Sequence, residues 1–450
     1  MFWTTIIGLS LFASVACSQV NVVALGAHPD GTNAPATTNA FRSAFSTYPT
    51  GEIVVPAGKY LIDNSSGPLT IENFSGHLEF QGNAQLIFTT NNLGGVLFVG
   101  GNGARIHGLR ATYAIAPTYR ASPNEQIKFS DTTDTLLTDT FVERSPAAGI
   151  LFYNSVRPKV VNATVMNSLA DGLHFANCED PQVTNLTTLN TGDDGLAFVN
   201  YAAYPNKNGG LAENIKVQNS QARGIAVVGQ SNVTISGFQI ETTEGSGLLV
   251  AEDDYFNTRV PANVRIQNGT IHGAGTLGQP GGNRFGIEFN SQVNATFSNI
   301  TILDSADAGL SGTSPNGSVT VNNVTVESPR DGVGFLFYET GSVQISDSVA
   351  QNTPSYGFLF LFSPQVMAQG LTAVNTSRKD PLRRAVWFEN GHSILATDLK
   401  ISSARGDANV VGAYQDHGYQ QSGSIKGIAA SITGASLSIQ NNSSKLTIAQ

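Results

Sequence analysis

Cysteine is almost missing from this chain of 450 residues: there are two, Cys17 and Cys178. Cys17 closes an apolar amino-terminal stretch, so Cys178 has no partner in the remainder and no intrachain disulfide can form. Charge is scarce too. Only 13% of residues are Asp, Glu, Lys or Arg, and 33 acidic against 24 basic residues leave a formal charge of -9, which removes the electrostatic term behind most nucleic-acid affinity. No nucleic-acid partner is expected. Long hydrophobic runs are also absent: the most apolar stretch, residues 4–16, is shorter than the roughly 20 residues a bilayer span requires. It reads as the core of a signal peptide over residues 1–18, which predicts a secreted, extracellular protein with no membrane partner. Helical periodicity is missing throughout, yet 40% hydrophobic residues are too many for a disordered chain. A strand-rich fold held together without disulfides is what remains.

What the chain does have is a period. Glycines followed by an aliphatic-x-apolar triplet stand at Gly149, Gly172, Gly195, Gly224, Gly247, Gly286, Gly309, Gly332 and Gly357, with 23 residues as the basic step. Each unit reads as short alternating strands between turn residues, as in GILF then PKVVNATVMNS. A unit of that size cannot bury its own apolar face, so neighbours must stack. The fold expected is all-β: a single-stranded parallel β-helix over residues 19–450, one domain, with coils about 4.8 Å apart. Residues 19–62 read as a cap and opening segment, with a short helix around Thr38 to Phe45 covering the first coil.

Stacking predicts columns. Asn154, Asn177 and Asn200 share one offset from the glycine; Asn162, Asn185 and Asn214 share a second, and Asn167, Asn190 and Asn219 a third. Side-chain amide ladders at the bends are expected, supplying cross-links where disulfides are lacking. Several Asn-x-Ser/Thr sequons suit glycosylation, but Asn162 and Asn185 would be held in a ladder and stay unmodified. Two coils are longer than 23 residues, by 6 near YAAYPNKNGG and by 16 after Ala251. Long loops on a rigid scaffold are where binding groups gather, so a cleft is expected beside these coils.

Just before the repeating glycine stand Asp171, then Asp193 and Asp194, then Arg223, a compact charged patch in a charge-poor chain. Carboxylates on neighbouring coils push one another's proton affinities apart, giving the acid and base that glycosidic cleavage needs. His174, two residues past its glycine, points outward and can shuttle a proton or contact a sugar. Glu252, Asp253 and Tyr255 open the longer insertion, and Tyr201 and Tyr204 in the shorter one offer aromatic faces to sugar rings.

The segments LGAHPDGTNA, AFRSAF and VVPAGKYL resemble the opening of the pectate lyase superfamily and of polygalacturonase-type glycosidases. That resemblance implies a secreted right-handed β-helix. ADGLHF and NTGDDGLAF are similar to the Asn-Thr-Asp and Asp-Asp segments of polygalacturonases, which implies Asp193 as general acid and Asp171 with Asp194 activating water. The chain departs from that family where Ala222-Arg223-Gly224 replaces Gly-His-Gly and Leu249-Val250-Ala251-Glu252 replaces Arg-Ile-Lys, so the grip on a galacturonate carboxylate is not reproduced.

The function expected is hydrolysis of glycosidic bonds in a polysaccharide by a monomer without cofactor or metal. Neighbouring coils set carboxylates at the spacing of retaining enzymes, whereas the resemblance implies inversion; the resemblance is ranked higher. Two alternatives use the same residues: a Ca²⁺-dependent polysaccharide lyase with Arg223 as base, and a glycan-binding protein without turnover.

Overall fold

The computed structural model describes residues 19–278, 283–379, 382, 384–403, 410–415, 421–432, 437–442 and 445–449. The expected signal peptide, with Cys17, lies outside them. Across these residues short strands follow one another, each pairing in parallel with the strand one coil away. Ile150–Tyr153 lies between Ile127–Ser130 and Leu173–Ala176. The same register continues through Leu196, Ile225, Leu248, Ile287 and Leu310. The parallel β-helix predicted by the period is the fold observed. No helix among the described residues is long and apolar enough to cross a membrane.

Inward side chains make one continuous apolar core. Phe98, Phe129, Phe152, Phe175 and Phe198 stack coil on coil, with successive ring centroids 4.8, 4.4, 5.6 and 5.3 Å apart. The glycine column exists because the backbone turns against the next coil there. A Cβ on Gly195 would lie 2.5 Å from Cγ1 of Val217 and 2.7 Å from the carbonyl oxygen of Gly224. One assignment needs correction: Gly309 stacks under Gly334, not Gly332. Gly332 has φ +120° and belongs to the preceding turn, and the motif Gly332-Val333-Gly334-Phe335 satisfies the sequence pattern in either register.

The asparagine columns have a backbone cause. From Gly108 to Gly427 one bend of each coil has a positive φ, and the residue there is always Gly, Asn or Asp; Asn162, Asn185 and Asn214 are at +56°, +58° and +56°. Only glycine and short polar residues visit this conformation cheaply. The amides then join: Asn185 Nδ2 donates to Asn162 Oδ1 at 2.9 Å and Asn214 to Asn185 at 3.1 Å. Asn190 donates likewise to Asn167, and Asn219 to Asn190. The column at Asn154, Asn177 and Asn200 is not a ladder. Asn154 bonds Asp131, and the buried Asn177 accepts from the N–H of Tyr201 at 2.8 Å. Asn200 holds Asn206 and the carbonyl of Lys207. The loop that leaves after Asn200 draws these amides to itself.

The cap is a helix, Ala34–Thr47, begun by Asn33, whose side chain accepts from the N–H of Ala36. Its apolar face closes the first coils through Phe41 against Tyr60 and Phe45 against Phe74, with centroids 5.8 and 5.2 Å apart.

Asn185→Val should cost about 1–3 kcal/mol, because a β-branched residue is strained at φ +58° and two amide bonds are lost; Asn185→Gly should cost clearly less. Denaturant midpoints of the two variants check the order. In a glycosylating host, peptide mapping should find Asn162 and Asn185 bare, since their nitrogens are donors within the ladder.

Candidate active site

The bend before each column glycine is where the charged residues collect. Gly192 fits there because its Cα sits against the backbone of Leu169, where a Cβ would approach to 2.6 Å. The following residues are then fixed coil to coil: the N–H of Asp194 donates to Asp171 Oδ1 at 3.1 Å, and the N–H of Arg223 donates to Asp194 Oδ1 at 2.9 Å. Ser220 donates to the carbonyls of Asp193 and Arg223, bracing the bend from behind.

Asp171, Asp193 and Asp194 thereby offer carboxylate oxygens that all lie within 4.8 Å of one another. Each has a cation. Asp171 Oδ2 is 2.7 Å from Nδ1 of His174, Asp193 Oδ2 accepts from Nη1 of Arg120 at 2.6 Å, and Asp194 accepts from Nη2 of Arg223 at 3.1 Å, with Nε 3.0 Å from its other oxygen. Asp171 and Asp194 are buried, whereas the Asp193 side chain is 25% exposed and is the most open of the three.

Burial pushes Asp194 up to about 7, and the charges of Asp193 and Asp171 push the same way against the pull of Arg223. Burial acts on Asp171 in the same sense, but the charge and hydrogen bond of His174, with Arg120 and the N–H of Asp194, outweigh it and hold Asp171 below the usual carboxylate range. His174 is the mirror case: burial opposes its cation, yet Asp171 and the other two carboxylates hold it above its ordinary value. Coupling between these groups makes them titrate as a set.

Two cavity lobes, of about 180 and 270 Å³, meet at this cluster and share Arg120, Asp171, His174 and Tyr201. Asp193, Asp194, Arg223, Asp253 and Phe256 line the first lobe, and Lys128, Glu125 and Tyr153 the second. The two insertions knit together on one side. Tyr201 bridges to Thr258, the N–H of Ala202 donates to the carbonyl of Asn257, and Nη2 of Arg259 donates to the carbonyl of Tyr204 at 2.7 Å.

The structure therefore brings Asp171, His174, Asp193, Asp194, Tyr201, Arg223 and Asp253 to one cleft. Tyr204 stands at its rim, edge-on to Tyr153 at 5.8 Å. Glu252 and Tyr255 do not line it. Tyr255 is 89% exposed, because the turn that Asp253 makes with the N–H of Phe256 presents Phe256 to the cleft instead. The excess after Ala251 is also two loops, not one, since the strand Val264–His272 divides it. Arg120 was missed altogether. It comes from the long connection between strands Arg110–Tyr113 and Ile127–Ser130, and the unusual length of that connection, with Pro117 and Pro123, was the available signal.

Oxygen ligands of this kind suit Ca²⁺, but here two guanidinium groups already lie against the carboxylates. The donors are engaged by fixed charge.

A family model described as right handed beta helix region matches residues 148–278 and 202–369. No curated protein matches the chain. Among solved structures, the catalytic unit of a thermostable GH87 α-1,3-glucanase from Streptomyces thermodiastaticus superposes with a TM-score of 0.63, at 17% identity, covering 93% of this chain and 70% of that one. A family 28 exopolygalacturonase from Yersinia enterocolitica is similar at 14% identity and TM-score 0.47, over 96% of this chain and 78% of its own. The class is thus a right-handed parallel β-helix, the fold that the resemblance in the sequence implied.

Arg223→Met leaves the Asp194 carboxyl buried beside two others without a partner, and should cost about 3–5 kcal/mol. Asp194→Asn added to it should restore most of the loss in a double-mutant cycle. A proton affinity raised on folding adds stability at low pH that is lost as pH rises, so the Asp194 contribution falls between about pH 4 and 7. Asp194→Asn should flatten the melting-temperature profile across that interval.

Proposed function

We propose that this protein is a secreted glycoside hydrolase that cleaves glycosidic bonds of a polysaccharide. The observation that carries the reading is the division of labour among the three carboxyls: Asp194 is pushed up to about 7 while Asp171 is held low. Adjacent carboxyls with proton affinities driven apart are what acid and base catalysis at neutral pH requires. The site stands at the meeting of two lobes, which leaves room for a sugar on either side of the bond to be cut. The α-1,3-glucanase of similar fold lends the reading support.

Asp193 is the most open of the trio, which favours it as the acid that protonates the leaving glycosidic oxygen as the carbon–oxygen bond breaks. Asp171, kept ionised by His174, takes the proton of the attacking water. Asp194 differs from the expectation that it shares this task. A carboxyl that keeps its proton to about pH 7 is a poor base, so Asp194 holds the proton of the set: it resupplies Asp193 after the leaving oxygen is protonated and takes back the proton that Asp171 removes from water. Oxygens within 4.8 Å fall in the close spacing associated with retention, and proton NMR of the first product anomer decides between that outcome and inversion.

A lyase would use Arg223 to abstract a proton. Asp194 holds that guanidinium above its ordinary value, which disfavours Arg223 as the base. Chelator should leave activity intact, and no unsaturated product absorbing in the ultraviolet should form.

Asp193→Asn should lower sugar release by about 10²–10⁴-fold while the protein stays folded; an unchanged rate overturns the assignment. Activity should fall above about pH 7, as the set loses its stored proton, and again on the acid side, below the usual carboxylate range, as Asp171 becomes protonated. Rate against pH on the cleaved polysaccharide checks both limbs.

A further inference from the structure

We infer that the cleft is built for a neutral polysaccharide and discriminates against polymers of uronic acids; this rests on the hydrolase reading of the same site. The basis is a charge inventory. Four cationic side chains stand among the described residues lining the two lobes: Arg120, Lys128, His174 and Arg223. Each is paired with a carboxylate of the cleft itself. Arg120 meets Asp193 at 2.6 Å, His174 meets Asp171 at 2.7 Å, Arg223 meets Asp194 at 3.0 Å and Lys128 meets Glu125 at 3.2 Å.

A fifth acid, Asp253, lines the same space and accepts from the main-chain N–H of Phe256 at 3.0 Å. The nearby cations of the loops are engaged elsewhere. Arg259 donates to the carbonyls of Ala202 and Tyr204, and Lys207 donates to the carbonyl of Asn154 at 2.7 Å.

A uronate carboxylate entering here finds every cation among those lining residues already beside a carboxyl of the cleft. To take Nη1 of Arg120 it must displace Asp193, exchanging one ion pair for another. It would also face Asp171, which His174 keeps ionised, and like charges set against each other cost affinity. A neutral sugar meets no such penalty. Its hydroxyls can donate to the carboxylates, and its apolar ring faces can lie on Ala197, Val199, Tyr201 and Phe256.

The test is native affinity electrophoresis of wild type and Asp193→Asn at low ionic strength, in gels containing soluble neutral α-glucan, β-glucan or galactan, or else polygalacturonate or alginate, with sugar release by wild type measured on the same polymers. Retention by at least one neutral polymer should exceed that by either uronate by at least about ten-fold. Phe256→Arg, which adds an unpaired cation to the wall, should strengthen retention by polygalacturonate several-fold, with the gain lost at high salt. Equal or tighter retention of wild type by a uronate polymer overturns the inference and leaves the hydrolase reading standing if that polymer is cleaved. Neutral retention without sugar release sinks the hydrolase reading and upholds the neutral specificity. Retention by no polymer overturns both.

Discussion

Every feature of this protein depends on coils meeting in register at the separation of hydrogen-bonded strands. Stacking gives each residue position a neighbour of the same offset above and below, so a conformational demand made once is made again in every coil. The positive φ at the bend is the clearest case: Gly, Asn or Asp meets it in each coil from Gly108 to Gly427. The glycine column answers a different demand, the approach of Val217 and the Gly224 carbonyl to Gly195 and of their equivalents elsewhere. Amide ladders and phenylalanine stacks follow from the same repetition. Together they hold the chain along its axis in the way disulfides hold small secreted domains.

The same register creates the site. Asp171, Asp194 and Arg223 occupy one offset on three successive coils, and main-chain N–H groups of one coil bind carboxylates of the one before. Such an arrangement is expensive in isolation, since buried charges lose their hydration. It persists because the strands on both sides fix the bend whatever its side chains prefer. Local strain and unfavourable electrostatics are therefore carried by the whole solenoid, which is how active sites generally retain perturbed groups.

How much of this was legible in the sequence follows from the kind of information each feature needs. Columns with a fixed offset were legible, because a period turns a spatial contact into a sequence spacing; Asp171, Asp194 and Arg223 are found that way. Gly334 was not, because Gly332 two residues earlier fits the same pattern and only the pairing of Leu310 with Phe335 separates them. Asn177 has the offset of a ladder residue, yet it turns inward to the N–H of Tyr201 because a loop departs there. Arg120 reaches Asp193 from 73 residues away through a connection with no repeat. Of the adjacent loop residues Tyr255 and Phe256, both exposed, only Phe256 lines the cleft, a distinction that no spacing carries.

That contrast separates two layers of the cleft with different physical origins. The carboxyls sit on coil bends, where moving one residue would break the pairing of a whole strand, so their geometry changes little without loss of the fold. Part of the wall, Tyr201, Asp253 and Phe256, sits on loops tied to each other by Tyr201, Ala202, Asn257 and Arg259, and surface loops tolerate changes in length and composition at low cost. The carboxyl cluster is thus written into the repeat, and part of the wall around it into the insertions. A β-helix with the same trio but other loops would present a different cleft, which is why resemblance in the coils alone fixes the fold and not the ligand.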